Sequence, residues 1–500
     1  MKKIVYLPLD ERPCNYTFAQ ALSKDNPDYR LVAPCKDVLG EKKRAADFEK
    51  LAAFLERECA EAHGLVLSVD MLLYGGIVPS RLHALSEKEL ETRLSLIKRL
   101  KAQNSGLKIY AFALIMRCPS YSSSDEEPEY YERCGREIFL RGQAVHKLAE
   151  KVISEQEYVS TVTELDEKIG DDLVDYLTRR EANLSALYKT LSMVGKEIEK
   201  FVIPQDDSSP YGYTAIDQQK VKRYIAEHGV PEIDIYPGAD EVGMTLLSAM
   251  VNDMHGYAPK ICPVYPHEDC KKVVPLYEDR AVERSIASQI QNAGCILTND
   301  PSEAEILLFC NLPVGKMANI GIDGGEAYEN RDLAAFTANM KEAAARGKRV
   351  SAADIAYCNG GDLEWVRLIE KELGIFRLSG YAGWNTSSNS LGTVICQSVL
   401  HYYYGDTEAH RAFTAERIYE DVGYCGHVRK YLCDEVLPKM QGVDYFHADG
   451  KRGEVAKLVR ETLDGYIQAQ CPSVHKEYAV ADCEMPWSRM FEVGLTVRKR

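Results

Sequence analysis

The chain is short of positive charge. Across 500 residues, 61 Lys and Arg stand against 76 Asp and Glu, for a formal net charge of −15. A nucleic-acid surface needs a basic patch to neutralise phosphates, so this balance points away from nucleic acid as a partner. Long apolar runs are missing too. None approaches the roughly 18 residues of a membrane span. The N-terminal "MKKIVYLPLDERP" follows its two lysines with only the short run "IVYLPL", too little for a secretory signal. The expectation is a cytoplasmic protein with no membrane partner.

Familiar catalytic signatures are also absent. There is no G-x-x-x-x-G-K-[ST] and no G-x-G-x-x-G after a strand-like run. There is no G-x-S-x-G elbow. The 11 histidines are scattered without H-E-x-x-H, and His83 is the nearest to any acidic strand end. That disfavours a three-histidine zinc site. Cysteine is plentiful, at 15, but the count is odd and no C-x-x-C occurs. Cys310 and Cys396 sit in apolar runs and read as buried reduced thiols. Cys14 and Cys118 lie beside strand ends.

What is present is alternation. "KIVYLPLD" (2–10), "GLVLSVD" (64–70) and "KIYAFALIMR" (108–117) read as strands, with amphipathic helical stretches between them. Strands separated by helices imply parallel sheets with βαβ crossovers. The length implies two to four domains. The expected fold is α/β, with Rossmann- or flavodoxin-like parallel sheets in two or three lobes. The first lobe covers 1–125 and a helical insert covers 126–200. A second α/β region covers 201–405, and a split near 260 fits as well. A mainly helical region, 406–500, ends in a strand within "RMFEVGLTVRK". Later strands are expected at 201–204, 233–237, 260–266, 305–311, 350–357 and 376–384, with a Gly-rich loop at 321–329. The sequence leaves open whether 201–204 and 233–237 finish the first sheet or begin the second.

Ligands of open α/β sheets bind beyond the carboxyl ends of the strands. Here those ends are crowded with polar residues: Asp10, Glu11, Arg12 and Asn15; Asp70 and Tyr74; Arg117; Gln205, Asp206 and Asp207; Asp240 and Glu241; Asn311; Asn359 and Asp362; Trp384, Asn385, Thr386 and Asn389. Arg81 and Arg489 sit in turns nearby. Asp10, Asp70 and Asp362 fit helix caps equally well. Adjacent carboxylates repel, so "QDD" and "ADE" suggest that a metal, an arginine or a shared proton relieves them. The arginines suit a carboxylate or phosphate on the substrate, or merely neutralise the acids.

The blocks "YLPLDERPCN", "SVDMLLYGGIVPSR", "IPQDDSSPYG", "YPGADEVGMTLL", "DIAYCNGGD", "YAGWNTSSNSLGT" and "MPWSRMFEVGL" run from Tyr6 to Glu492. Together they resemble the signature blocks of an uncharacterised bacterial family, domain of unknown function 4127. The resemblance brings no activity. It implies only that the strand-end blocks are what the family shares.

Three functions fit the residues. The leading one is a carbohydrate-processing hydrolase: a glycoside hydrolase in which Asp206 or Asp207 works with Asp240 or Glu241. Its substrate would be a small molecule or short glycan bearing an acidic, amino or phosphorylated sugar. Trp384, Tyr74, Tyr211, Tyr213 and Tyr381 could stack on sugar rings, and Gln205, Asn385 and Asn389 suit hydroxyls. The second is a sugar isomerase or hydrolase that uses Mg²⁺ or Mn²⁺ held by the same acids. The third is a non-catalytic cytoplasmic sugar-binding protein. No other cofactor is expected, and no oligomeric state is implied.

Overall fold

The computed structural model describes residues 1–231, 233–321 and 331–500. The Gly-rich loop expected at 321–329 lies outside the described residues, apart from Gly321. The chain divides into two compact units. The first comprises Met1–Glu11, Pro27–Ala239 and Tyr277–Asp279. The second comprises Arg12–Asn26, Asp240–Leu276 and Arg280–Arg500.

The first unit is built on a six-stranded sheet. Its strands are β1 (Lys2–Leu7), β2 (Tyr29–Val32), β3 (Gly64–Ser68), β4 (Lys108–Phe112), β5 (Lys200–Gln205) and β6 (Ile235–Pro237). They pair in the order β2-β1-β3-β4-β5-β6, and every pairing is parallel. All five residues of β3 are buried, as expected where helices cover both faces of a parallel sheet. The segments 201–204 and 233–237 thus belong to the first sheet. Some helices carry their own start signal. Ser86 and Glu89 form a capping box before the helix Glu87–Gln103, whose Leu90, Leu94, Ile97 and Leu100 face the core. The expected strands at 64–70 and 108–117 are shorter than their apolar runs. After Ser68 the run continues as a short helix, Val69–Tyr74.

Between β4 and β5 lie three helices, Tyr131–Ala149, Glu155–Ile169 and Asp172–Leu191. Their own core joins Tyr131, Ile138, Leu165, Ile169 and Tyr176 to Met116 and Tyr213. Buried Arg180 fastens this layer, donating to Asp217 Oδ2 at 2.7 Å and to the carbonyl of Met116 at 2.9 Å.

The second unit repeats the topology. Its strands are β7 (Lys260–Val264), β8 (Ile296–Leu297), β9 (Ile306–Asn311), β11 (Arg349–Asp354) and β13 (Gly380–Ala382), with a small pair, β10 (Ala318–Asn319) and β12 (Tyr357–Cys358), beside them. The order is β13-β11-β9-β7-β8. Counted within the unit, this is the doubly wound order 2-1-3-4-5, the same as the first five strands of the first sheet. The C-terminal region adds helices Glu408–Arg417 and Glu454–Gln470, with wider π-type turns over Ile418–Val428. It closes with an antiparallel pair, β14 (Tyr478–Glu484) and β15 (Gly494–Lys499). This region shares one core with the second sheet, in which Phe309, Trp365 and Tyr381 lie among Tyr419, Val422, Leu463 and Tyr478.

Candidate functional site

In the first unit, the carboxyl ends of β3, β4 and β5 bring together two arginines and four acids. β4 leads to Arg117 and β5 leads to Asp206 and Asp207. The short turn Pro79–Arg81, after β3 and its helix, supplies Arg81. Gly75 permits that path. It has φ 86°, and a Cβ there would lie 2.5 Å from the backbone nitrogen of Ala46. Arg81 Nη2 donates to Asp206 Oδ2 at 2.9 Å, and its Nη1 reaches Glu126 and Glu127 at 3.1 and 3.2 Å. Arg117 Nε donates to Glu127 Oε1 at 2.8 Å. Its Nη1 lies 3.0 Å from Asp207 Oδ2 and 3.7 Å from Asp206 Oδ2. Its Nη2 reaches Glu126 and the Tyr121 hydroxyl. Both guanidiniums are buried, and burial of such groups is tolerated only because they are paired this fully.

Asp207 holds φ 43°, a left-handed backbone that costs about 1–2 kcal/mol in most residues and least in Asp and Asn. Burial, and then the neighbouring Asp206 carboxylate, push the Asp207 carboxyl up to about 7. Each of the adjacent acids thus meets an arginine, Asp206 through Arg81 and Asp207 through Arg117, and burial favours the protonated form of Asp207 as well. Asp70 lies behind them. Its Oδ2 accepts from the amide of Leu114 at 2.9 Å, and burial pushes it up to about 7. Ser68, not Asp70, caps the helix here. Glu11 accepts from the amide of Lys42 at 3.1 Å, and Asp10 is buried. Gln205 accepts from Gln218 at 2.8 Å.

In the second unit, Asp240 accepts from Arg12 Nη2 at 2.5 Å and from Asn15 at 2.8 Å. Arg12 and Arg489 both lie against the Trp487 ring, at 4.6 and 4.5 Å, with Glu492 as a shared acid. Glu241 is fully buried and takes one amide on each oxygen, Gln289 and Asn389, both at 2.7 Å. Farther along, Asp362 caps the helix Leu363–Glu372 through the amide of Glu364, and its other oxygen meets Asn311 and Arg331. Asp354 accepts from Asn311 at 2.9 Å, from the Tyr381 hydroxyl at 2.8 Å and from the amide of Asp362 at 2.7 Å. Burial, and then the charge of Asp362, push Asp354 up to about 7. Asn359 and Asn385 are left-handed, with φ 67° and 49°, and are joined by a 2.7 Å backbone bond.

Asp206 and Asp207 belong to the first unit, Asp240 and Glu241 to the second. Several residues expected to stack on sugars are instead packed away: Tyr74 against His83, Trp384 edge-on to Phe18, and Tyr213 and Tyr381 in the two cores. The sequence reading passed over Glu126, Glu127 and Tyr121. Their segment, "YSSSDEEPEY", carries adjacent acids like "QDD", but residues 118–124 separate those acids from the apolar run 108–117. Asp354 was passed over as the interior of a strand. Among the described residues, no three His, Cys, Asp or Glu side chains are arranged to hold a metal ion. The acids of the first-unit cluster face guanidiniums, which does not fit Mg²⁺ or Mn²⁺ ligation. Among the described residues, no helix is long and apolar enough to cross a membrane. A family model described as "Protein of unknown function (DUF4127)" matches residues 4–496. No curated protein matches the chain.

Proposed function

The chain belongs to the DUF4127 family, and for it we propose a carbohydrate-processing hydrolase, a glycosidase whose acid and carboxylate are Asp207 and Asp206. One observation carries the reading. Two neighbouring carboxyls share a cluster, yet their surroundings separate them. Asp206 sits on Arg81 at 2.9 Å, while burial, and then the Asp206 charge, push Asp207 up to about 7 despite its contact with Arg117 at 3.0 Å. Unequal surroundings of this kind assign one acid and one base. Both carboxyls lie within 4 Å of one nitrogen, Arg117 Nη1. That keeps them no farther apart than the roughly 5 to 10 Å spanned by glycosidase pairs. Asp207 donates its proton to the leaving oxygen. Asp206, held by Arg81, faces the anomeric carbon or the attacking water. Arg117 holds both side chains in place. Asp240 and Glu241 act within the second unit, where arginine and amide groups fix them.

The test is a panel of chromogenic glycosides, including amino sugars and uronic acids, with and without EDTA. Hydrolysis insensitive to EDTA is expected. Asp207→Asn should lower kcat by about 10²–10⁴, the usual worth of a general acid. In the wild type, kcat/KM should fall with rising pH near 7, as Asp207 loses its proton. Full turnover in both Asp206→Asn and Asp207→Asn sinks the assignment, and loss of activity in EDTA sinks the metal-free chemistry.

A further inference from the structure

From the sequence the arginines suit either an acidic substrate or the neighbouring acids, and in the structure Arg81 and Arg117 meet the acids. Arg81 and Arg117 direct their donors at Glu126, Glu127, Asp206, Asp207 and Tyr121. An incoming carboxylate or phosphate would have to displace one of these acids and then lie beside the others. The charge balance points the opposite way. Four carboxyl groups share two guanidiniums, while the neighbouring Asp125 is matched by Lys42 and Glu129 by Lys43.

A second feature is independent of that count. Glu127 has a side-chain exposure of 1%. Its Oε1 is held by both arginines, but its Oε2 is buried without any hydrogen-bond partner. A buried carboxylate oxygen lacking a donor is costly, and a donor supplied by a ligand recovers that cost. The acids bound to the same arginines remain partly open: Glu126 at 18%, Asp206 at 21% and Asp207 at 25% side-chain exposure. Tyr121, whose hydroxyl meets Arg117 Nη2, adds a phenol ring with 46% exposure. An aromatic face beside carboxylates suits an ammonium group, which gains from the ring as well as from the charge.

We propose that the ligand of this cluster carries a protonated amine, which Glu127 Oε2 and the acids around it receive; the substrate class is an amino sugar with a free amine. This rests on the reading of Asp206 and Asp207 as the working pair and supplies the substituent that selects the substrate. The carboxylates take the ammonium's protons as hydrogen bonds, and no bond is made or broken in that step. An N-acetylated sugar, which has lost the charge, is disfavoured.

The experiment is equilibrium binding by saturation-transfer NMR and calorimetry on the full chain, with glucosamine, N-acetylglucosamine, glucose and glucuronate as probes. Glucosamine is expected to bind at least about tenfold more tightly than glucose or N-acetylglucosamine, a preference of 1.4 kcal/mol, with no measurable glucuronate binding. Added salt should weaken the glucosamine signal alone. Glu127→Gln should remove most of the preference. Where that buried change disturbs folding, Glu126→Gln at the open rim reads the same charge effect. Equal binding of glucosamine and glucose overturns the proposal, as does a preference for glucuronate, no binding of any probe, or a preference untouched by both variants. Glucosamine binding without cleavage of any glycoside would overturn the hydrolase reading and leave this one standing. Cleavage of neutral glycosides with no amine preference would do the reverse.

Discussion

Gly361 has no room for a methyl group. A Cβ there would overlap the Tyr381 hydroxyl and lie 3.1 Å from Asp354 Oδ2. The glycine lets the backbone pass over the Asp354–Tyr381 bond, and Asp362 then donates its amide to the same carboxylate. Gly361→Ala should therefore destabilise the protein by about 1–3 kcal/mol, the cost of overpacking a filled site. Chemical denaturation checks this, and an unchanged midpoint would refute the packing argument. At this scale the sequence was partly readable. Asp206 and Asp207 stood out as adjacent acids at a strand end, and they lie in a real cluster. Glu127 did not stand out, because its partners are 10 and 46 residues away in the chain. Pairings of that kind are set by the sheet order, which no local pattern records.

Among elements, the helix Ser387–Tyr404 does two jobs with its first turn. Thr386 and Asn389 form a capping box. What the local pattern could not show is that Asn389 also donates to the buried Glu241, at the N-terminus of the helix Val242–His255. Gly392, one turn on, permits the approach; a Cβ there would lie 2.7 Å from Thr245 Oγ1. The two residues should then differ on mutation. Thr386→Ala removes a cap, worth about 0.5–2 kcal/mol. Asn389→Ala removes the cap's partner and leaves one oxygen of a buried carboxylate short of its amide, which adds about 1–3 kcal/mol. A combined Asn389→Ala and Glu241→Gln variant should recover part of the loss. Urea midpoints for the three variants give the order, and equal losses for Thr386→Ala and Asn389→Ala would remove Glu241 from the account.

Two doubly wound sheets, one in each unit, share the strand order 2-1-3-4-5, to which the first adds a sixth strand. The alternation that gave the α/β class was legible in short apolar runs and amphipathic spacers. The shared order was not, because pairing between strands distant in sequence leaves no repeat in the residues themselves. Both windings bury acids near their carboxyl ends, and this has a consequence for pH. Burial, as the first cause in every case, pushes Asp70, Asp207, Asp354, Glu416 and Glu420 up to about 7 and Asp421 up to about 6. Between their ordinary values near 4 and these raised ones, the folded chain holds protons that the unfolded chain has already lost. Stability then falls as pH rises through that window. Histidine opposes this only on the acid side. Burial holds His401 and His410 down to about 4, so charging them in the unfolded chain lowers stability as pH falls through about 6.5, and the effect fades over about one unit above it. From pH 6.5 to 8 the carboxyls raised to about 7 outweigh these two histidines, and the melting temperature should decline across that range at constant ionic strength. Asp354→Asn, which keeps the shape of the side chain without its ionisation, should make the decline shallower. Calorimetric scans of both proteins at half-unit pH steps test this; a melting temperature that is flat or rises toward pH 8 would mean that these acids are ionised in the folded protein after all.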